Sequence, residues 1–355
     1  MDSVSRCGVS LPSTLLATGD LTPDGGGLLV RVLITGGAGY IGSVAVERAL
    51  AAGHEVGVLD NLWRGHRGAI PDDVAFLQVD LRDANATRDA VASYQPDAIL
   101  HFAGATLVPE SMKDPLLYFE VNVVGSHNLI AAALAAGVPK FVFSSTAATY
   151  GDPAADSITE DIPTNPINPY GRSKLMVEQM LEWHSQIHGM HVAIFRYFNV
   201  AGATSLRGED HTPETHVIPV ALEVVQGKRA EFTVFGTDYA TSDGTCIRDY
   251  VHVVDLTDAH LLALDWLEEN RWGIFNLGTQ FGSSVQEIVR AVEMVTDQTL
   301  PVVLGARREG DPPRLVASSD RARSELGWNP THSTLDQMVG SAWDWINVHP
   351  NGYED

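Results

Sequence analysis

The 355-residue chain is 45% hydrophobic, enough to bury one large α/β core and a smaller second one. A formal net charge of −22 argues against nucleic acid and anionic membrane surfaces as partners, though not against a small anion met by locally placed arginines. Cys7 and Cys246, the only cysteines, make neither a disulfide framework nor a cysteine zinc site and favour a reducing cytoplasm, and the longest apolar run, 129–138, is too short to cross a bilayer.

Residues 1–28 carry Asp2, Arg6 and Pro12 where a secretory signal needs an apolar block, and end in Gly25-Gly26-Gly27. They are expected to form a disordered extension. A β-branched strand is expected at 30–35, then a glycine cluster and a helix at 42–52. Further strands are expected at 55–60, 74–80 and 98–102, a long helix at 115–136, a fifth strand at 140–144, a helix at 170–188 and a sixth strand at 192–196. Apolar strands alternating with helices predict a Rossmann-type, doubly wound parallel α/β sheet over 29–198. Past Phe198 the alternation breaks down. A smaller, mixed α/β substrate-binding domain is expected over 199–355, with returns to the first domain near 248–278.

The glycine cluster has Gly36, Gly39 and Gly42 at GxxGxxG spacing between a strand and a helix. Glycines there permit a tight turn, close approach of a pyrophosphate to the backbone, and tight helix–strand packing. Asp60 ends the second strand, 18 residues after Gly42, where a carboxylate can accept hydrogen bonds from an adenosine ribose. It would repel a ribose phosphate, so NAD is expected rather than NADP. Arg64 and Arg67, just beyond, read as solvated loop charges.

Tyr170 and Lys174 stand four apart on one helix face, and Lys174 is one of only four lysines. A tyrosine hydroxyl of ordinary pKa, about 10, is a poor base at neutral pH. The ammonium beside it, aided by a positive nicotinamide ring, is expected to bring it toward the working range. The strand end Ser144-Ser145-Thr146 offers hydroxyls to a reacting oxygen. His184 and His188, also four apart, read as solvated rather than as metal ligands; no metal is expected. Cys246 reads as a packing residue.

These segments resemble those of the UDP-glucose 4-epimerase (UDP-galactose 4-epimerase) family, extended short-chain dehydrogenases/reductases. The likeness runs over 31–355 and rests on Thr35-Gly36-Gly37-Ala38-Gly39-Tyr40-Ile41-Gly42-Ser43, Leu59-Asp60-Asn61-Leu62, His101-Phe102-Ala103-Gly104, Asn168-Pro169-Tyr170-Gly171-Arg172-Ser173-Lys174, Arg196-Tyr197-Phe198-Asn199, the run from Asp243 to Val253, and Arg307-Arg308-Glu309-Gly310-Asp311. The resemblance implies epimerisation at C4 of a UDP-hexose by an NAD-dependent isomerase, through a transient 4-keto sugar, with Tyr170, Lys174 and Thr146 catalytic. It implies that Tyr40 and Ile41 line the pyrophosphate, that Asn61, Asp80 and Leu81 flank the adenosine, and that Phe102, Ala103, Gly104, Asn122, Ser144 and Phe198 contact the rest of the cofactor. Asn199 would touch the UDP-sugar. Val217, Thr233, Val234 and Phe235 would line uracil and ribose, Arg248 and Arg308 would neutralise the diphosphate, and Asp311 would hold a ribose hydroxyl. A homodimer built on the helices around Asn122 and Tyr170 is implied too.

Three positions depart from the family. Thr146 stands where serine is usual, Thr106 where a lysine is often found, and Leu315 where a bulk-limiting tyrosine is common. The last leaves UDP-N-acetylhexosamines open as substrates, and UDP-pentoses share the same catalytic residues. A nucleotide-sugar 4,6-dehydratase would need an Asp-Glu pair after Thr146, where Ala147-Ala148-Thr149 stands. A non-catalytic NAD sensor would lack Tyr170 or Lys174.

Overall fold

Residues with apolar side chains at every position, not every second one, build a strand that is covered on both faces. In the computed structural model, which describes residues 29–153, 155–308 and 312–354, six strands come first, five of them largely buried and the edge strand β3 only partly so. They are β1 (Arg31–Thr35), β2 (Glu55–Asp60), β3 (Ala75–Gln78), β4 (Ala98–His101), β5 (Lys140–Thr146) and β6 (His191–Tyr197). With the strand Trp272–Leu277 they form a seven-stranded sheet, ordered Trp272–Leu277, β6, β5, β4, β1, β2, β3, every pair parallel. The extension expected at 1–28, and Asp311, lie outside the described residues.

The period of two sorts each strand between two cores. Val32 and Ile34 of β1 and Val142 of β5 pack with Ala45, Val46 and Ala49 of the helix Tyr40–Ala51 and with Leu256, Ala259 and Ala263 of the helix Val253–Glu269. Leu33, Phe141 and Phe143 point the other way, onto the helices Ala84–Tyr94, Gly125–Ala136 and Pro169–His188. Helices on both faces of a parallel sheet make this a Rossmann-type fold. A third cluster gathers the helices Val217–Val225, Val285–Thr296 and Leu335–Val348 around a parallel pair, Phe232–Phe235 with Val302–Gly305.

Several elements differ from the sequence expectation. The helix Ala84–Tyr94 was not expected. Its inward face, Thr87, Ala90, Val91 and Tyr94, stands at helical spacing, and the Asp83 carboxylate caps it; both are readable signals, though two of the four residues are small or polar. β5 runs two residues further than expected, to Thr146, because Ser145 and Thr146 continue its pairing with β6. The 115–136 helix contains a wider π-type turn, Phe119–Val124. Contrary to the sequence expectation, Pro115–Ala136 is long and apolar enough by length and composition to cross a membrane. The expectation weighed only a contiguous apolar run. Leu129, Ile130, Ala132 and Ala133 of this helix are core residues of the α/β fold.

One buried ion pair ties the helix Pro169–His188 to the sheet. Arg196 of β6 and Glu178 are nearly solvent-free, with Nε–Oε1 at 3.0 Å and Nη2–Oε2 at 2.5 Å, and Ser145 donates to the same carboxylate. Removing one partner of such a pair leaves an uncompensated buried charge. Glu178→Ala is therefore expected to lower the unfolding free energy by about 3–5 kcal/mol in urea titrations, and Glu178→Ala with Arg196→Met to recover part of it. A loss under about 1 kcal/mol in the single variant would show that the pair does not hold the helix.

Candidate active site

β1 and β4 are neighbours, and the chain winds outward from them in opposite directions, to β2 and β3 on one side and to β5 and β6 on the other. Such a switch point leaves a crevice at the carboxyl ends of the strands. The two loops that frame it are in contact. Gly36 has φ +69°, and a Cβ there would lie 2.5 Å from the Ala103 nitrogen. A Cβ on Gly42 would lie 2.1 Å from the Gly36 carbonyl oxygen, whereas one on Gly39 would meet only that oxygen, at 3.4 Å. Gly39 thus marks the open side. It caps the helix Tyr40–Ala51 without a side chain, leaving the first-turn N–H groups to a phosphate. Asp60, buried at the end of β2, accepts from the Ala38 nitrogen at 3.0 Å and the Leu62 nitrogen at 2.8 Å. Burial raises its pKa and these backbone bonds lower it. The Gly39 opening and the Asp60 carboxylate fit the pyrophosphate and ribose of a dinucleotide.

A cavity of about 1010 Å³ runs from this crevice. Among the anticipated cofactor residues it is lined by Gly36, Gly39, Tyr40, Ile41, Gly42, Asp60, Asn61, Asp80, Leu81, Phe102, Ala103, Gly104, Ser144 and Phe198. Thr146, Tyr170 and Lys174 line it too, as do Asn199, Arg248, Arg308 and Leu315. Asp80 is held at a pKa of about 2, mainly by the Arg82 guanidinium hydrogen-bonded to it, and also accepts from Asn61 at 3.1 Å. Arg248 and Leu315 are register partners on adjacent short strands.

Five anticipated contacts are not among the lining residues. Asn122 sits in the π-type turn with its amide fully engaged: Oδ1 accepts from the Ala105 nitrogen at 2.7 Å, and Nδ2 donates to the Ala105 carbonyl at 3.0 Å and to the Ser173 hydroxyl at 2.9 Å. It braces the loop after β4 against the helix Pro169–His188, where a direct cofactor contact was expected. Val217 packs against the third core and Val234 is buried within it. Thr233 shares the Val234 strand, which pairs with Val302–Gly305. Phe235 lies under the lining residue Arg308, whose guanidinium carbon is 4.1 Å from its ring centroid. The physical reason is the strand itself, which alternates its side chains between the core and the outer face.

The cavity also shows what the sequence reading passed over. Asn168 caps the helix Pro169–His188, accepting from the Gly171 nitrogen at 2.8 Å, with Pro169 at the first turn; Asn-Pro is a readable start signal. A Cβ on Gly171 would lie 2.4 Å from the Ala148 carbonyl, so glycine lets the helix start touch the end of β5. Tyr197 shares a hydrogen bond with Ser144. Glu209, His211 and His216 line the wall from a segment without periodicity, where no pattern could flag them. His184 and His188 stack, with ring centroids 5.4 Å apart. Cys246 is buried.

Tyr170 is hydrogen-bonded by Thr146, and its ring stands edge-on to Tyr118 at 6.3 Å. Lys174 donates from Nζ to the Ser144 carbonyl at 2.9 Å and lies 4.9 Å above the Phe143 ring. The expected downward pull of Lys174 on the phenol is not what the protein alone produces. Burial raises the Tyr170 pKa, with only the Thr146 hydrogen bond against it, and burial drives Lys174 down to about 8 despite nearby Glu178. Dry surroundings favour the neutral form of both groups.

A glycine loop at the switch point of a doubly wound sheet, opening into one cavity with a buried Tyr-x-x-x-Lys pair, defines an α/β protein built around a dinucleotide. The chain belongs to the NAD dependent epimerase/dehydratase family, whose model matches residues 32–278. It is 48% identical over 329 residues to the UDP-glucose 4-epimerase of Lacticaseibacillus casei, covering 92% of this chain and 99% of that one. A crystal structure of a UDP-glucose 4-epimerase superposes with a TM-score of 0.90 at 48% identity, over 92% of this chain and 100% of the other. That of the UDP-glucose 4-epimerase from Brucella ovis in complex with NAD gives 0.86 at 41% identity, over 88% and 97%.

Lys174 carries a pH dependence of stability. Its unfolded form keeps the proton up to an ordinary pKa of 10.5, whereas the folded one releases it near 8. Between these values the unfolded chain binds more protons, so this group's contribution to stability rises with pH and is lost again as pH falls through about 8. The unfolding free energy of the wild type, relative to Lys174→Met, is expected to rise by up to about 3 kcal/mol from pH 8 to 10.5 in urea titrations. A flat difference would show that the amine is not desolvated.

Proposed function

We propose that this protein interconverts the C4 epimers of a UDP-hexose, UDP-glucose and UDP-galactose, as an NAD-dependent isomerase. The observation that carries the reading is that Thr146, Tyr170 and Lys174 share one cavity with the Gly39 opening and Asp60. Bound NAD supplies a hydride acceptor that can return the hydride to the opposite face of the sugar, so no net redox change results.

The residues of the chain do the rest. Tyr170 takes the proton of the sugar 4-hydroxyl and gives it back. The Thr146 hydroxyl orients that oxygen and stabilises the phenolate through its hydrogen bond to Tyr170. Lys174, fixed by the Ser144 carbonyl, holds the nicotinamide ribose and, when charged, favours the phenolate four residues before it. Because burial opposes both charges, the phenolate forms most easily where a further positive charge arrives beside it. Arg248 and Arg308 neutralise the diphosphate in a chain that is otherwise strongly acidic. The Rossmann unit, 29–198 with the returning strand Trp272–Leu277, carries the cofactor, and most of 199–355 carries the substrate. Asp311 is assigned a ribose hydroxyl on the resemblance alone.

The protein is further read as a cytoplasmic homodimer. Met176, Trp183 and Ile187 of the helix Pro169–His188 are exposed, as are Leu116 and Val124 of the neighbouring Pro115–Ala136 helix, while Leu175 and Leu181 are core. A paired copy would cover this apolar surface.

Tyr170→Phe is expected to lose at least about 100-fold in turnover of UDP-galactose to UDP-glucose, followed by product analysis, while still binding UDP-sugar. Thr146→Ala should also lose activity, and Thr146→Ser should keep or raise it. Near-normal turnover in Tyr170→Phe would remove Tyr170 as the base. The purified wild type should release NAD(H) on denaturation, and release of NADP alone would contradict the reading of Asp60.

A second reading, turnover of UDP-N-acetylhexosamines, is favoured by Leu315. It lines the cavity, and leucine there leaves space that a tyrosine ring would fill. Overpacking costs about 1–3 kcal/mol, so Leu315→Tyr is expected to lower the UDP-N-acetylglucosamine to UDP-glucose specificity ratio by about 5- to 150-fold. An unchanged ratio in competition assays would show that Leu315 is not the gate.

A further inference from the structure

Between Ala201 and Val217 the chain has no regular secondary structure, and it carries Glu209-Asp210-His211-Thr212-Pro213-Glu214-Thr215-His216. We propose that Glu209, His211, Glu214 and His216 form a binding site for one divalent transition-metal ion, zinc by preference, which closes this segment on itself and so fixes its shape where it lines the dinucleotide cavity.

The four donor atoms converge. One carboxylate oxygen from each glutamate and one ring nitrogen from each histidine all lie within 4.8 Å of one another. His216 Nδ1 is 2.7 Å from Glu209 Oε1 and 2.8 Å from Glu214 Oε1, and His211 Nδ1 is 3.0 Å from Glu209 Oε1. Zinc bonds to nitrogen and oxygen of about 2.0–2.2 Å place tetrahedral donors roughly 3.3 Å apart, so an ion at the centre would push the close pairs outward and draw the wider ones, up to 4.8 Å, inward. This is the only group of three or more such residues gathered in this way among the described residues.

Charge and burial point the same way. The Glu209 and Glu214 side chains are 7% and 5% exposed. Two buried carboxylates need positive charge beside them, and neutral imidazoles supply none. Two nitrogens and two oxygens suit zinc; the absence of thiolates argues against an iron–sulfur cluster, and calcium and magnesium take all-oxygen sets. Four protein ligands close the tetrahedron, which makes the ion structural rather than catalytic.

The surroundings say what it would hold. His211 stands edge-on to Tyr40 at 6.5 Å, and the Tyr40 hydroxyl donates to the Gly202 carbonyl at 2.5 Å. Tyr40 directly follows the cap Gly39, so the segment leans on the helix start that faces the phosphates. Asp210 is turned elsewhere: its carboxylate accepts from the Tyr353 nitrogen at 2.9 Å. The rival arrangement is a proton alone, with His216 as an imidazolium between the two glutamates.

The test uses full-length, tag-free protein purified without chelators. Elemental analysis is expected to find about one zinc per chain, and His211→Asn with His216→Asn to fall below about 0.1 with unchanged far-UV circular dichroism. Dipicolinate should lower the melting temperature and speed the loss of bound dinucleotide, and added zinc should restore both. Wild type with less than about 0.1 zinc per chain, and a melting temperature indifferent to added zinc, would overturn the proposal in favour of the proton. Full zinc content in the double variant would overturn it as well, by placing the ion elsewhere. Should the variant not fold, wild type loaded with cobalt decides: intense visible bands of a tetrahedral ion support the site, and the weak spectrum of an octahedral ion rejects it.

Discussion

The Glu178–Arg196 pair sets where everything in the active site can be. It lies in the helix one turn beyond Lys174, which itself lies one turn beyond Tyr170. Arg196 belongs to β6 and Ser145, bonded to the same carboxylate, to β5, so the helix is clamped to two neighbouring strands at once. At its N-terminal end, Gly171 lets the first turn touch the Ala148 carbonyl. With the first turn and the middle of the helix fixed, Tyr170 and Thr146 have little choice but to meet. Asn122 adds a third brace from outside, and the π-type turn that carries it gives the side chain its inward aim.

The fold was legible because both faces of the sheet are covered. Unbroken apolar runs, such as Val32-Leu33-Ile34 and Phe141-Val142-Phe143, declare buried parallel strands, and the glycine spacing declares the first turn. The helix Ala84–Tyr94 has its buried face at helical spacing, but Thr87 and Ala90 make that face faint beside its polar residues. The cofactor side of the site was largely legible, since loops after β1, β2 and β4 must converge wherever a sheet is doubly wound. On the uridine side the sequence leaves the direction of the side chains open. Whether Val234 faces a ligand or a core depends on the strand it pairs with, and that partner, Val302–Gly305, lies some seventy residues away in sequence. Asn122 shows the same limit at a single residue: its type was informative, but the direction of its amide depended on one extra residue in a helical turn.

The electrostatics of the site run against the protonation states the chemistry uses. Burial raises Tyr170 and lowers Lys174, so the resting protein favours phenol and weakens its own ammonium. His101, directly below the loop after β4, is likewise pushed well down by burial and stays neutral between Thr35 and Ser126. A phenol in dry surroundings resists giving up its proton. A charge that arrives with a bound ligand has correspondingly greater effect there, since little water remains to screen it.

Asp249 has hardly figured so far, although it lies between Arg248 and Tyr250 in a run the sequence already marked. Fully buried, its carboxylate accepts from the Thr279 nitrogen and hydroxyl, both at 2.7 Å, from the Gln280 nitrogen at 3.1 Å and from the Ala317 nitrogen at 3.0 Å. Its carbonyl receives the Asn199 side-chain amide at 2.9 Å, and its own nitrogen donates to the Leu315 carbonyl at 3.0 Å. The chain passes between the central sheet and the smaller core near 199, 249, 279 and 316, and all four passages are knotted to this one residue. A hinge needs strands of backbone free to twist independently, and these four are bonded to a shared residue. Spreading the two sides of the cavity apart at these passages would break several bonds of one buried carboxylate together, so a sugar that must present both faces in turn turns most easily on its own, inside the cavity as it stands.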